Sequence, residues 1–420
     1  MPVPYDQIDL PMSHVSPPPP VRPASASEAA AWLAANSEGN RQAIVPAGAE
    51  HSSLGLYRSP QPAVPFDLTA LNRVIDYPAR DLTITVEAGI TWGELSRQLA
   101  CEHQQLPLDV LQPDATIGGI VAANTSGPRR HAYGTARDYL LGFDAIIADG
   151  TRFKAGGRVV KNVAGYDLSK LMVGSRGTIA VLTQCTFKLK PLPPESCWLL
   201  TTWDLSSELE PVLQRLLLSD ARPVAIELLQ GTHLPHVGDR LTLALLLEGS
   251  ATSIRWEVET LRRELSPFGP DELVEVHENR ETPFGDRFLS HLLALGHEWS
   301  WELTMAVPPS RLTTVAPLFP KTCRISAHAL EGVLRVSWKA APTPQELAFL
   351  GDLGASSTGG GMAAVWEWTR WPEASPPPPA YRQPASSASR WSLELKRKLD
   401  PHNLLNPGVL ELATGETAAI

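Results

Sequence analysis

Cysteine is scarce: the chain of 420 residues has four, Cys101, Cys185, Cys197 and Cys323, and no two form a CxxC pair. That spacing excludes an iron–sulfur cluster or zinc site built from this chain's thiols alone, and it offers no disulfide framework. Such usage suits a reducing cytosol. Long apolar runs are also missing. No stretch approaches the ~18 residues of a membrane span, and the start, MPVPYDQIDLPMSHVSPPPP, has neither the charged nor the apolar region of a signal peptide. The expected location is the cytoplasm. Basic patches are lacking as well, with 36 Lys and Arg mixed among 45 Asp and Glu for a net charge of −9. This balance argues against a nucleic-acid partner and against a surface that clings to anionic lipid.

Proline is plentiful, and its distribution marks boundaries. It recurs every few positions through residues 1–25, removing backbone donors and fixing φ, so this segment reads as an extended, mobile leader. A second rich run, PEASPPPPAYRQPASSAS, reads as a semi-rigid linker over residues 374–387. The pattern between them predicts a helix near Ser27–Asn36, strands at Ala43–Val45 and Leu82–Val86, and a helix from Thr91 to Cys101 with Thr91 as N-cap. Tyr139–Ala148 reads as a strand entering an Asp149-Gly150 turn. Thr178–Leu189 reads as a long strand stopped by Pro191, Pro193 and Pro194. From Cys197 to Glu373, strands (Leu241–Leu247, Trp301–Val307, Val333–Trp338, Ala363–Trp368) alternate with helices (Ala251–Leu265, Pro344–Leu353), as in an antiparallel sheet backed by helices. A last helix, Trp391–Leu399, leads into DPHNLLNPGVL. No internal repeat is visible.

Three glycine-rich phrases carry the chemistry. The first, VPAGAEHSSLG (Val45–Gly55), follows a strand and can turn successive N–H groups and hydroxyls toward an anion. Alone, such a phrase is more often an ordinary loop. It is not a GxGxxG, which weakens a Rossmann reading. In the second, Gln112–Gly142, Thr116 caps a short helix from Gly118-Gly119, where missing side chains let a pyrophosphate approach. Ala122, Ala123, Ser126 and Gly127 keep the following surface small-sided for a flat ring or a ribityl chain. Arg129, Arg130 and Arg137 can each pair a phosphate, or simply solvent or Asp138. The third, Gly156–Gln184, holds KNVAGYDL, in which Asp167 can also be a helix N-cap, and GSRGTIAVLTQ, where the backbone of Gly177–Ile179 can meet a heterocycle's edge. Three such loops, each bordering a strand, favour one long dinucleotide threaded across a domain.

Together these phrases resemble the FAD-binding domain of the vanillyl-alcohol oxidase / p-cresol methylhydroxylase (PCMH) superfamily. Within it they are most similar to the E-type, FAD-binding subunits of glycolate oxidase complexes. The likeness rests on GPRR (Gly127–Arg130), KNVAGYDLSKLMVGS (Lys161–Ser175) and LKRKLDPHNLLNPG (Leu395–Gly408). It covers about Gln42–Pro194 and Trp391–Leu410, while Cys197–Glu373 matches in layout only. The resemblance implies an α+β fold with three parts. A PCMH-type two-lobed FAD-binding domain spans residues 26–195, and an α+β antiparallel-sheet cap domain spans 196–373. A C-terminal helix with an NPG segment, 388–420, returns to the FAD domain.

It further implies that FAD rests on Pro46, Gly48, Ala49, Glu50, His51, Ser52, Ser53 and Gly55 of the first phrase. From the second it takes Pro113, Thr116, Gly118, Gly119, Ala123, Ser126, Gly127, Arg130, Arg137 and Asp138. From the third it takes Val163, Gly165, Tyr166, Gly177, Thr178 and Ile179, with Asn406 from the closing phrase. The implied partners are a D-type catalytic flavoprotein subunit and an F-type iron–sulfur subunit. Membrane association would be peripheral, through that complex.

Some residues depart from the family pattern. The usual first loop reads P-x-G-x-G-[TS], and Glu50 stands where its second glycine belongs. A carboxylate repels a pyrophosphate unless it turns away or is neutralised, so weaker FAD binding is expected. Members with a histidyl-flavin bond carry histidine where Glu50 stands, so His51 implies non-covalent FAD. His236-Val237-Gly238-Asp239 opens like the HVGDGNxH metal motif of related catalytic dehydrogenases, but Arg240-Leu241-Thr242 follow and no metal site is expected. His131, His277, His291, His297, His328 and His402 read as structural or surface residues, and no general base is assigned. The leading function is a flavoprotein subunit that relays electrons as a 2-hydroxy acid becomes a 2-oxo acid. The alternatives are a stand-alone FAD-dependent glycolate or D-lactate dehydrogenase and a non-catalytic structural subunit with a degenerate flavin site.

Overall fold

Alternating apolar residues in Thr83–Glu87, and apolar residues placed around register shifts in Leu140–Ile146 and Val181–Lys188, build the sheet of the first lobe. The computed structural model describes residues 18–48, 62–157, 168–204, 208–231, 240–278, 286–294, 299–343, 345–346, 365–370 and 387–410. The sheet has five antiparallel strands in the order Val74–Asp76, Thr83–Glu87, Val181–Lys188, Leu140–Ile146, Arg152–Gly156. One face buries Ile84, Val86, Phe143, Leu182 and Phe187 against Leu95 and Leu99 of the helix Trp92–Cys101 and against Ile117, Ile120 and Val121 of the helix Ile117–Ala123. Both helices have the expected caps, with Thr91 accepting from the Glu94 amide and Thr116 from the Gly119 amide.

Beside that sheet, Ala43–Ala47 and Ala63–Asp67 pair in parallel and pack on the helix Ala26–Glu38 through Leu33, Ile44 and Phe66. Residues at the end of the proline-rich arm join this unit: the Val21 amide donates to Pro65 O at 2.9 Å and its carbonyl accepts from Asp67 at 2.8 Å. Gly150 shows why Asp-Gly stands at the hairpin. It has φ +84°, and a Cβ there would lie 2.5 Å from Ala30 O of the first helix. The strand expected over Thr178–Leu189 begins later, at Val181. Arg176 and Gly177, at φ +54° and +65°, turn the chain first and hold the next residues out of the ladder.

Among the described residues, the second lobe is one antiparallel sheet of eight strands. Its order is Glu272–Glu278, Glu195–Trp203, Leu241–Gly249, Ala225–Gln230, Arg324–His328, Val333–Trp338, Trp301–Ala306, Val365–Arg370. The first four strands in this order precede the last four in the chain, so the sheet is built from two consecutive halves. The halves meet where Ala225–Gln230 pairs with Arg324–His328.

Along the strands, alternate residues point to opposite faces. Ile226, Leu228, Ile325, Ala327, Leu334 and Val336 pack under the helices Glu210–Leu217, Ala251–Leu265 and Leu312–Val315. Ala225 and Leu229 face the other way, toward the helix Arg287–Ala294 and Tyr133 of the first lobe. The helix Ala251–Leu265 and the strand Val333–Trp338 have their expected bounds, and the last helix runs over Ser387–Leu399. Most of the helix expected at Pro344–Leu353, and most of the 374–387 linker, lie outside the described residues, as does His236–Asp239.

Candidate functional site

Parts of all three glycine phrases converge within the described residues. Gly48 abuts Thr116 so closely that a Cβ on it would lie 2.1 Å from Thr116 Oγ1. Gly177 closes the same crossing: its missing Cβ would stand 3.0 Å from Asn406 Nδ2 and 3.2 Å from Pro46 Cγ. Asn406 Nδ2 donates to Arg176 O at 2.7 Å, and the Asn406 amide donates to Ile44 O at 2.8 Å. From the helix Ile117–Ala123, the carbonyls of Val121 and Ala122 accept from the Gly174 and Arg176 amides at 3.0 and 2.8 Å. Pro46, Gly48, Thr116, Gly119, Gly177, Thr178 and Asn406 therefore form one crossing. Ala49, Glu50, His51, Ser52, Ser53, Gly55, Val163, Gly165 and Tyr166 lie outside the described residues.

This crossing fits a nucleotide in two respects. Its glycines leave room for the Thr116, Asn406 and Pro46 side chains to close in, and Gly119 is exposed. Asn124 Oδ1, Ser175 Oγ and Asn406 Oδ1 are also buried at its edge without a hydrogen-bond partner, groups that a bound ligand would complete. The helix start itself contributes shape rather than donors. The amides of Ile117, Gly118 and Gly119 already donate to Ile90 O, Ala88 O and Thr116 Oγ1, at 3.0, 2.7 and 3.3 Å. Replacing Gly48 with alanine is expected to displace Thr116, losing a helix cap with a typical value of about 1 kcal/mol, and to weaken FAD binding. Fluorescence titration with FAD, alongside a melting curve, checks both effects.

The remaining residues of the expected site lie elsewhere. Ala123 and Ser126 are half-buried on the strip that leaves the crossing toward the second lobe. Gly127 is buried at the lobe boundary, where a Cβ would lie 2.5 Å from Asp109 Cβ and 2.9 Å from Leu293 Cδ2. Arg130 Nη1 donates to Ser126 Oγ at 3.3 Å. Pro113 is exposed, with its carbonyl accepting from Gly93. Arg137 and Asp138 are exposed on a one-turn helix, where the Asp138 carboxylate accepts from the Thr135 amide at 2.8 Å in a capping box. Ile179 is a core residue.

Arg129, weighed from sequence as a phosphate partner, has other work. It is buried, with Nε 2.6 Å from Asp109 Oδ1 and Nη1 3.3 Å from Glu248 Oε1, so it ties the first lobe to the cap. Burial opposes its charge, but these two carboxylates prevail and hold its pKa above the ordinary arginine value. Sequence reading also missed a buried Glu227–His328 pair. The signal for it was a charged or imidazole side chain within short apolar runs, AIELLQ and RISAH, at the period of a strand. Among the described residues, Cys197, Glu275 and His277 bring ligand atoms within 4.8 Å of one another near the cap's outer edge. There Arg262 hydrogen-bonds Glu275 and holds its carboxyl below the usual range, and burial pushes the Cys197 thiol up to about 12.

Residues 17–156 match the FAD binding domain family, so the chain carries an FAD-binding domain and FAD is its cofactor. The fold is shared with alkyldihydroxyacetonephosphate synthase, which superposes over 94% of this chain and 77% of its own with a TM-score of 0.65, at 17% identity. Glycolate oxidase subunit GlcE of Escherichia coli (strain K12) is 39% identical over 132 residues, 31% of this chain and 38% of that protein. The mitochondrial D-lactate dehydrogenase [cytochrome] of Arabidopsis thaliana is 37% identical over 153 residues, 36% of this chain and 27% of that protein. Glycolate oxidase subunit GlcD of Bacillus subtilis (strain 168) is 30% identical over 176 residues, covering 42% and 37%. The matched stretches thus span well under half of these relatives' lengths. No helix among the described residues is long and apolar enough to cross a membrane.

Proposed function

We propose that this chain is the FAD-binding, GlcE-type component of a glycolate oxidase complex, converting a 2-hydroxy acid to a 2-oxo acid together with a catalytic flavoprotein subunit and an iron–sulfur subunit. The observation that carries this reading is the meeting of Gly48, Thr116, Gly177 and Asn406 at one close crossing. Its sequence relatives include both GlcE and GlcD. When bound, FAD supplies two-electron acceptance and one-electron release. The protein's own part is to hold the nucleotide at this crossing, to exclude water with the cap, and to present the flavin to the lobe boundary. The flavin is held without a covalent bond.

The test is purification of the tagged chain from its host with its associated proteins. The expected result is a flavin spectrum with iron–sulfur bands and two further polypeptides, with the flavin released into the supernatant on acid precipitation. A lone yellow protein that reduces a dye with D-lactate would replace the complex by a stand-alone dehydrogenase, which the D-lactate dehydrogenase relatives favour. A colourless protein that takes up no added FAD would overturn the flavin reading.

A further inference from the structure

A second polar cluster lies along the strip that leaves the glycine crossing. The face of the cap sheet turned away from its helices carries Glu227, His328 and Arg335, close to where the sheet's two halves meet. Opposite them stand Ser126, Arg130 and His131 of the first lobe. Glu227 and His328 are cross-strand neighbours, 1% and 2% exposed, with His328 Nδ1 2.6 Å from Glu227 Oε1. Arg335 Nη2 donates to Ser126 O at 3.2 Å, and Arg130 Nη1 donates to Ser126 Oγ at 3.3 Å. His131 and Glu331 close one side, Nδ1 to Oε1 at 2.5 Å.

The cluster is incomplete as it stands. Glu227 Oε2, His328 Nε2 and Glu331 Oε2 are buried with no hydrogen-bond partner. The two guanidinium groups have no acceptor beyond Ser126 among the described residues. A buried, unsatisfied polar group is costly to keep, so several in one place point to a ligand that completes them. The charges indicate its sign. Burial pushes Glu227 well above the carboxylate range, and burial with Arg335 and Arg130 nearby holds His328 down to about 3. Both shifts favour the uncharged forms of this pair. Burial and the neighbouring Arg335 also hold Arg130 below its usual value. Glu331 acts on Arg130, and the nearby Asp109 is already taken by Arg129, so the two guanidiniums here have donors to spare that the carboxylate of a ligand would engage.

We infer that this cluster is the substrate pocket, in which Arg130 and Arg335 hold the carboxylate of a small 2-hydroxy acid and the His328–Glu227 pair meets its hydroxyl. The inference rests on the oxidoreductase reading for the choice of acid. Ser126, which touches both arginines, lies four residues past Ala122, whose carbonyl joins the glycine crossing at Arg176. One strip thus serves both sites. Glu227 acts as a positioning residue, holding His328 so that its free nitrogen faces the ligand.

Calorimetric titration of the full chain, with and without FAD, using glycolate and acetate as probes, tests this assignment. Glycolate is expected to bind at least about tenfold more tightly than acetate, the difference reporting a hydroxyl contact. Arg335→Met and Arg130→Met are each expected to weaken glycolate at least about tenfold. Arg335→Lys should fall between, and His328→Phe should remove the preference over acetate. Arg255→Met, on an exposed helix position, should change nothing. Melting curves confirm that each variant folds, and the lysine variant separates loss of the guanidinium fork from loss of structure. Glycolate affinity unchanged in both methionine variants, or no glycolate binding by a folded protein that takes up FAD, overturns the pocket and leaves the flavin reading intact. A protein that refuses FAD overturns the flavin reading, while titration of the same protein with glycolate still decides the pocket.

Discussion

Replacing Arg129 with methionine is expected to lower stability by about 3–5 kcal/mol, the usual consequence of leaving a buried charge without its partner. Two carboxylates would be stranded, Asp109 of the first lobe and Glu248 of the cap, both almost wholly buried. The Arg129 amide, which donates to Asp109 Oδ2 at 2.7 Å, and the Tyr133 hydroxyl, which donates to Glu248 Oε2 at 2.6 Å, remain but cannot neutralise them. Urea denaturation measures the loss. A triple variant that also replaces Asp109 and Glu248 with leucine should regain most of it, because no charge is then left in the interior. A loss under about 1 kcal/mol in the single variant would show that these carboxylates are solvated in solution.

Lys396→Met is the second large effect, again about 3–5 kcal/mol. Lys396 and Asp400 are 2% and 1% exposed and form the clasp that returns the C-terminus to the first lobe. Lys396 Nζ donates to Thr178 O, Asp400 Oδ2 and Leu405 O at 3.0, 2.8 and 2.7 Å. The Asp400 carboxylate accepts from the Leu404 and Leu405 amides at 2.8 and 2.7 Å. Methionine matches the length of the lysine stem but leaves Asp400 uncompensated and two carbonyls unmet. Asn406 sits one residue beyond this clasp and against Gly177, so FAD affinity should fall together with the melting temperature. A variant that melts lower but binds FAD normally would show that the glycine crossing forms without the clasp.

Much of the first lobe can be read from sequence, because its signals are local. Thr91 and Thr116 cap their helices through contacts three residues away, and Asp149-Gly150 turns through a backbone torsion that few other pairs tolerate. The second lobe was legible only in layout. Strands such as Ala225–Gln230 and Arg324–His328, near the middle of a sheet, are short and nearly continuous in apolar residues, a pattern that periodicity alone does not separate from other buried segments. The order of its eight strands left no trace in residue identity, since each strand needs apolar burial rather than a particular neighbour.

The amino-acid order alone pointed to an extended dinucleotide, which the family resemblance made FAD, because glycine, small residues and caps act on their own backbone within a few positions. Which polar groups meet across the lobes was another matter. Arg129 finds Glu248 119 residues away, and Glu227 finds His328 101 residues away. Such pairs exist only once strand register and lobe packing bring distant segments together, and no local rule in the chain encodes that approach.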